Sequence, residues 1–271
     1  MSTMAHPRPT ATQGNPWGTA CVGTIAGLVF ATLVFAPARW LAGGLQQASR
    51  NQIQWVEARG SVWQGSARLV LSGGDGSSGA VALPGTVTWR IRPTWTGLSA
   101  QISADCCTPE PLHLHAAIGG AGGIGDMTLA LNNSQSVWPA GLLVGLGTPW
   151  NTVQAQGQMA VSTTGWNAHW TQGRLTLGGQ VQIDATQMSS RLTTITPMGS
   201  YRLTLSGGET PRLRIATLEG SLQLSGQGQW VGQRLRFEGE ASAAPDRMEA
   251  LSNLLNILGR RDGAKSIIKI G

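Results

Sequence analysis

The stretch Val87-Thr88-Trp89-Arg90-Ile91-Arg92-Pro93 decides the fold, because it alternates apolar and polar side chains. Successive side chains of a β-strand point to opposite faces, so a period of two predicts a strand with one apolar and one polar face. Pro93 ends the pattern, since proline cannot donate a hydrogen bond to a neighbouring strand. The same pattern extends over most of the chain in both directions.

Short alternating runs, separated by glycine-rich turns, recur along the chain. They begin at Ile53 and Trp55 and continue at 62–71, 98–102, 112–116, 127–131, 153–161, 175–183, 191–195, 201–205, 213–215, 222–224 and 235–237. Glycine is abundant at 38 residues and only 12% of residues are charged, a composition that suits strands and turns. We therefore predict a mainly β fold, with an elongated or curled antiparallel sheet over 53–271 rather than alternating βαβ units.

Two segments depart from the period of two. Residues 138–144 contain a proline and a glycine, and predict a short helix or buried loop midway. Residues 246–258 predict a short amphipathic helix, because their large apolar residues fall at helical spacing: Met248, Leu251, Leu254, Leu255 and Leu258. Asp246 and Glu249 have the spacing of a capping box at its start. The isoleucines at 267–270 predict a final strand.

An apolar run precedes the β domain. Residues 18–38 carry no charged side chain, and a helix of that length is roughly 30 Å long, the thickness of a bilayer's hydrocarbon core. Trp17 and Trp40 flank the run, as indoles do at the two membrane–water interfaces. We predict a single transmembrane helix over 17–40, a disordered tail over 1–16 and a linker over 41–52. A cleaved signal peptide is the alternative, because small residues at 34–38 provide a cleavage site.

The distribution of charge argues against nucleic-acid binding. The formal net charge is +6, yet Arg260 and Arg261 are the only basic residues that are adjacent. Nucleic-acid sites normally cluster Lys and Arg on one face and interleave them with aromatic residues. We therefore predict no nucleic-acid partner.

The sequence also lacks the motifs of catalysis. It contains no Gly-x-Ser-x-Gly, no phosphate-binding loop and no recognisable pair of carboxylates. His113 and His115 share one face of a predicted strand, but a structural metal site normally has four well-spaced ligands. We predict no enzyme activity, no catalytic residue, no metal site and no cofactor.

Cys106 and Cys107 are neighbours in the sequence. Adjacent cysteines can bridge only through a strained ring. In an oxidising compartment the pair could form a vicinal disulfide or a link between chains. We favour two unpaired thiols in a turn.

Three Trp-x-Gly triplets lie beside predicted strands, at Trp63, Trp95 and Trp230. One interpretation is a tryptophan-lined groove, and the favoured one is that tryptophan caps sheet ends where glycine lets the backbone turn. Trp63 and Trp230 are the candidate partner-contact residues, provided that their indoles are exposed.

Several stretches resemble, in order, the type II secretion system protein N family, also called general secretion pathway protein N. They are 58–67, 87–93, 197–202, 237–245 and 251–263. The resemblance implies a single-pass inner-membrane subunit with a cytoplasmic tail and a periplasmic domain. It implies contacts with other secretion subunits, either inner-membrane components or the outer-membrane secretin, and export of folded periplasmic proteins. No catalytic residue carries over from the family.

A different class of function stays open at this point. A membrane-anchored antiparallel sheet also resembles, more loosely, periplasmic lipid-transfer proteins in which a curved sheet forms an apolar trough. A trough requires a continuous, exposed apolar surface, whereas a secretion scaffold closes its core and binds partners at its edges. The inner face of the sheet therefore distinguishes the two hypotheses.

Overall fold

The structure is a computed structural model that describes residues 16–74, 79–119, 125–232 and 234–271. The chain divides into two compact units, Met1–Ala36 and Pro37–Gly271. The disordered tail predicted over 1–16 lies outside the described residues, apart from Pro16.

The first unit contains one helix, α1 (Pro16–Val34), whose large apolar side chains are exposed. The single helix predicted over 17–40 is interrupted, because Phe35 is a turn residue and Pro37 is extended, with φ −72° and ψ 147°. Proline lacks the N–H that would continue a helix through this point. Within the part of the chain that the structure describes, no helix has the length and apolarity needed to cross a membrane.

The second unit begins with α2 (Ala38–Ala48), so most of the segment predicted as a linker over 41–52 is helical. The β-strands follow, and their bounds are β1 (Ile53–Gly60), β2 (Gln64–Ser72), β3 (Ala80–Ala82), β4 (Val87–Thr94), β5 (Gly97–Ala104), β6 (Leu112–Ile118), β7 (Met127–Leu131), β8 (Ser134–Pro139), β9 (Gln156–Thr171), β10 (Arg174–Ser189), β11 (Gly199–Gly208), β12 (Arg212–Gly220), β13 (Leu222–Val231), β14 (Arg234–Ala243), β15 (Arg260–Asp262) and β16 (Lys265–Ile270). Three helical segments interrupt the strands: a 3₁₀ helix (Ala140–Leu146) followed by α3 (Trp150–Val153), and α4 (Met248–Leu258).

The strands form one open antiparallel sheet, which confirms the predicted fold class. Its order is β1-β2-β4-β5-β6-β7-β9-β10-β11-β12-β13-β14-β16-β15, so that nearly every strand pairs with its neighbour in sequence. β3 pairs only with β2, and β8 lies beside β7 along the long strand β9. The two ends of this order, β1 and β15, are the edges of the sheet.

The alternation in the sequence becomes two chemically different faces. One row of directly paired residues crosses seven strands: Val161, Ile183, Leu203, Ile215, Gly226, Gly239 and Ile268. The adjacent row points the other way and carries Asp184, Arg202 and Glu240. We call the side that bears the first row the apolar face, and the side that bears the second row the polar face.

Three segments cover parts of the apolar face. α2 packs on the first strands through Ala38, against Ala67 and Trp89. The 3₁₀ helix contributes Leu142 to a cluster with Val87 and Ala104. α4 and the segment around α3 build the largest cluster over the later strands: Ala140, Val153, Ala155, Met188, Met198, Tyr201, Leu222, Ala241, Leu251, Leu254 and Leu255.

The predicted C-terminal helix and final strand are both present. α4 spans Met248–Leu258, and a 3₁₀ turn (Pro245–Arg247) replaces the first residues of the predicted range. The expected capping box does not form, because Asp246 accepts a hydrogen bond of 3.0 Å from Arg247 Nε and the helix start has no side-chain cap. β16 pairs with β14, and this places the chain's last strand under α4.

We expect Leu255→Ala to lower the free energy of unfolding by about 2–5 kcal/mol, the range measured for leucine truncations in cores. Leu255 is 0% exposed and lies in the cluster between α4 and the sheet, so the truncation leaves a cavity. Chemical denaturation of the full chain in detergent measures the loss. Asn256→Ala, on the exposed side of the same helix, is the control and should change the stability by less than about 0.5 kcal/mol. Equal effects of the two changes would mean that α4 is not docked.

Candidate functional site

The most distinctive feature of the described residues is an apolar cavity of about 400 Å³. Its floor is the apolar face of the sheet, with Ile183, Leu203 and Ile215 among the lining side chains. Its walls are α4, which contributes Leu254 and Leu258, and the segment around α3, where Val153 lines the cavity. No charged side chain is among the lining residues.

Phe237 and two glycines shape the floor. A Cβ atom placed on Gly226 would lie 2.5 Å from Cζ of Phe237, and one placed on Gly239 would lie 2.9 Å from its Cε1. The ring therefore lies flat over two neighbouring strands, where any side chain at 226 or 239 would push it away. The ring of Phe237 thus fills the space above both glycines, and it is Phe237 that lines the cavity there.

Tyr201 places a buried polar group in the cavity lining, whereas Ser225, which also lines the cavity, is exposed. The hydroxyl of Tyr201 donates a hydrogen bond of 3.2 Å to the carbonyl oxygen of Leu222. Burial raises the pKa of Tyr201, so that the phenol stays neutral at physiological pH. A charged or strongly polar ligand group thus has no evident partner inside, and the cavity is suited to apolar matter.

The cavity opens between α3 and α4. Among its large apolar lining residues, Trp150 and Ile257 are the exposed ones, each with 40% of its surface accessible. Deeper residues, such as Leu222 and Leu254, are about 1% exposed. The floor residues Ile183, Leu203 and Ile215 are half-buried, so the cavity is partly open and is most buried near Leu222 and Leu254.

The polar face carries an ion pair behind the floor of the cavity. Arg202 donates two hydrogen bonds to the carboxylate of Asp184, at 2.7 and 2.8 Å, and Gln182 donates a third at 3.1 Å. These bonds stabilise the charged carboxylate, above all the one from Arg202, and hold the pKa of Asp184 below its usual range. The pair links β10 to β11, two strands that form the cavity floor.

The structure places the sequence-predicted residues apart. Trp17 and Trp40 are 78% and 54% exposed, Trp63 and Trp230 are half-buried, and these four residues do not line the cavity. Trp95 is the most exposed tryptophan of the described residues and stands in the turn between β4 and β5.

Trp89 is a core residue that the sequence pattern did not distinguish from the other tryptophans. It is 3% exposed, lies 4.7 Å from Trp55 between ring centroids, and donates from Nε1 to the carbonyl oxygen of Val62 at 3.0 Å. A Cβ on Gly65 would lie 2.5 Å from its Cζ2 atom, so the glycine of the Trp63 triplet makes room for this ring. The alternation of side chains along β4 could have identified Trp89 as a core residue, because it places Trp89 on the apolar face.

Cys106 and Cys107 form a disulfide, whereas the sequence analysis favoured unpaired thiols. The two cysteines are neighbours in the turn after β5, and Cys107 is buried against Val87 and Ala104. His113 and His115 lie on the strand β6, on the polar face. Over the described ranges, no group of three His, Cys, Asp or Glu residues comes together as a metal site.

A comparison with protein families identifies one match. The family model described as type II secretion system (T2SS), protein N, matches residues 51–267, which contain nearly the whole sheet together with α4. No curated protein and no solved structure matches the chain.

We expect Asp184→Asn to lower the free energy of unfolding by up to about 1 kcal/mol at pH 7, because Arg202 loses its charged partner. The folded-state pKa of Asp184 lies below its unfolded value of about 3.9, so the stabilisation is present above that pH and is lost as the pH falls through the folded pKa. Chemical denaturation of the wild type and the variant between pH 7 and pH 2.5 measures their free energies of unfolding. We expect the two free energies to converge at acid pH. Glu57→Gln, in an exposed ion pair of 3.4 Å with Arg68, is the control. A difference in the free energy of unfolding that persists at low pH would contradict the electrostatic explanation.

Proposed function

Because the chain belongs to the type II secretion system protein N family, we propose that it is a non-enzymatic, membrane-anchored subunit of that system. It supports the export of folded periplasmic proteins across the outer membrane by contacting other subunits. The observation that carries the proposal is the family match over 51–267, which spans nearly all of the sheet and its main cover. Family membership implies a secretion-system component that interacts with other components.

The open sheet supports assembly through its edges. Among the described strands β1 pairs only with β2, and the opposite edge strand β15 has three residues. The Ser49 hydroxyl already bonds the N–H and the carbonyl oxygen of Ile53, so the edge that a partner could extend lies beyond Ile53. An edge strand presents unpaired backbone groups that a partner satisfies by adding a strand of its own. Val56 and Glu57 are exposed on β1, and a register shift begins after Val56. A bulge of this kind limits unspecific pairing, so that the edge selects its partner.

The partner is another secretion subunit, either an inner-membrane component or the outer-membrane secretin. Trp63 lies in the turn that joins β1 to β2 and is our proposed anchor beside this edge. Trp230 lies on β13, far along the strand order from β1, and would serve a second contact. Tryptophan is enriched among the residues that dominate binding energy at interfaces.

Placement in the inner membrane, with residues 37–271 in the periplasm, is also a proposal. Two observations support it. α1 exposes apolar side chains such as Val22, Leu28 and Phe30, which suit lipid better than water. The Cys106–Cys107 disulfide suits an oxidising compartment such as the periplasm.

Photo-crosslinking tests the proposed edge. A benzophenone amino acid at position 56, on β1, should crosslink to another secretion subunit in cells that secrete, and the same amino acid at Gln223, exposed on β13 in mid-sheet, should not. Deletion of the gene should leave cargo folded in the periplasm. Normal secretion after deletion, or equal crosslinking at both positions, would contradict the proposal.

A reporter fused after Gly271 tests the membrane topology. We expect alkaline phosphatase in this position to be active, because the enzyme needs an oxidising compartment to form its disulfides. Green fluorescent protein exported unfolded through the general pathway should stay dark there. Peptide mapping of the mature protein should recover residues 17–40. An active phosphatase without these residues would instead indicate a cleaved signal peptide.

A further inference from the structure

The cavity under α4 is too large and too apolar to be a packing defect. The cavity measures about 400 Å³, is partly open to solvent and has a mainly apolar lining. Ordered water needs two to four polar partners, and the Tyr201 hydroxyl is already bonded to the Leu222 carbonyl. Cavities of a few hundred Å³ with mainly apolar walls are typical of ligand sites.

The volume of the cavity fits an acyl chain. A methylene group occupies about the volume of a water molecule in the liquid, roughly 30 Å³, so the cavity has room for about a dozen of them. A helix of a partner protein, with a diameter of about 10 Å, is too thick to enter beside the docked leucines of α4. The ligand is therefore thin, flexible and apolar along its length.

The opening of the cavity indicates where the polar end of the ligand lies. Trp150 and Ile257 stand at the opening with 40% of their surfaces exposed, and the walls become fully buried towards Leu222 and Leu254. Because no charged side chain lines the interior, the polar end of the ligand stays outside. The floor residues Ile183, Leu203 and Ile215 are half-buried, so an apolar tail would lie along the sheet beneath α4 while its polar head stays in water.

We propose that this cavity binds a single acyl chain, with its methyl end near Leu222 and its polar head at the mouth between Trp150 and Ile257. The acyl chain completes the core between α4 and the sheet, beside the ring of Phe237. A free fatty acid and one tail of a phospholipid share this chemistry. The site goes beyond the role in secretion and does not depend on it.

Two photoactivatable lipids test the site and separate the two sources. One is palmitic acid with a diazirine in the middle of its chain, and the other is phosphatidylethanolamine that carries the same acyl chain. The full chain is purified in lipid nanodiscs, irradiated with each lipid and digested, and mass spectrometry locates the modified residues. We expect labels on peptides from β10, β11 and α4, which line the cavity. Labelling by the acid alone would identify a fatty acid, and labelling by the phospholipid would identify a membrane lipid.

A matched pair of variants provides the control. Leu203→Trp fills the cavity from the floor, and Thr204→Trp places the same side chain on the polar face of the same strand. We expect Leu203→Trp to lower labelling of the cavity peptides at least tenfold, and Thr204→Trp to leave it within twofold of the wild type. The thermal melt of each variant shows whether it is folded.

The site is disproved if labels fall only on α1 or nowhere, or if Leu203→Trp folds and is labelled like the wild type. Should Leu203→Trp fail to fold, the map of labelled residues in the wild-type protein still decides, because it needs no variant. Secretion assays report separately on the proposed function, so the failure of one proposal is distinguishable from the failure of the other.

Discussion

One apolar face of a single antiparallel sheet must be kept from water, and the rest of the structure follows from this constraint. A sandwich covers such a face with a second sheet, and a barrel closes the sheet upon itself. This chain instead leaves the sheet open and covers it in parts, with α2 and the 3₁₀ helix over the first strands and α4 over the later strands. The covers are short, so that large apolar side chains such as Leu98, Met127 and Trp170 stay exposed on the strands between them.

The partial cover explains both the stability and the candidate site. Leu251, Leu254 and Leu255 of α4 are the best-buried leucines of the helix and tie β13, β14 and β16 into one cluster. Beside them, the ring of Phe237 lies over Gly226 and Gly239 and lines the cavity. The same packing that anchors the helix therefore leaves an apolar cavity at its side. The open edges at β1 and β15 are a second consequence, since a sheet that does not close keeps two edges for partners.

The sequence predicts the class of fold well because side-chain alternation is a local property. Val87 to Arg92 form a strand with Trp89 inside, and the leucines of α4 face the sheet as their spacing requires. The break at Pro37 was missed because the apolar composition on both sides suggested one helix. The turn at Cys106 and Cys107 was predicted but their disulfide was not, because a turn in the sequence pattern does not show whether its two thiols are joined.

The cavity could not be predicted, because it depends on which residues lie opposite each other across several strands. Gly226 and Gly239 are ordinary turn-forming residues by composition, and only the register sets them side by side beneath the ring of Phe237. The exposure of Trp63 and Trp230 was similarly hidden, because it depends on neighbours that are distant in sequence. Local patterns therefore predict which side chains share a face of a strand. The register between strands determines which of these side chains lie together in a cavity or cluster.

Hydrogen–deuterium exchange of the full chain tests the central claim, that the cover by α4 makes the later strands the stable core. Amides in the last-opening unit of a protein exchange at rates set by global unfolding, and less protected units exchange sooner. We predict the slowest exchange in β11, β13, β14, β16 and α4, and faster exchange in β6 and β7, which have no helix packed on them among the described contacts. Slowest exchange in β6 and β7, with rapid exchange in α4 and β14, would contradict the account.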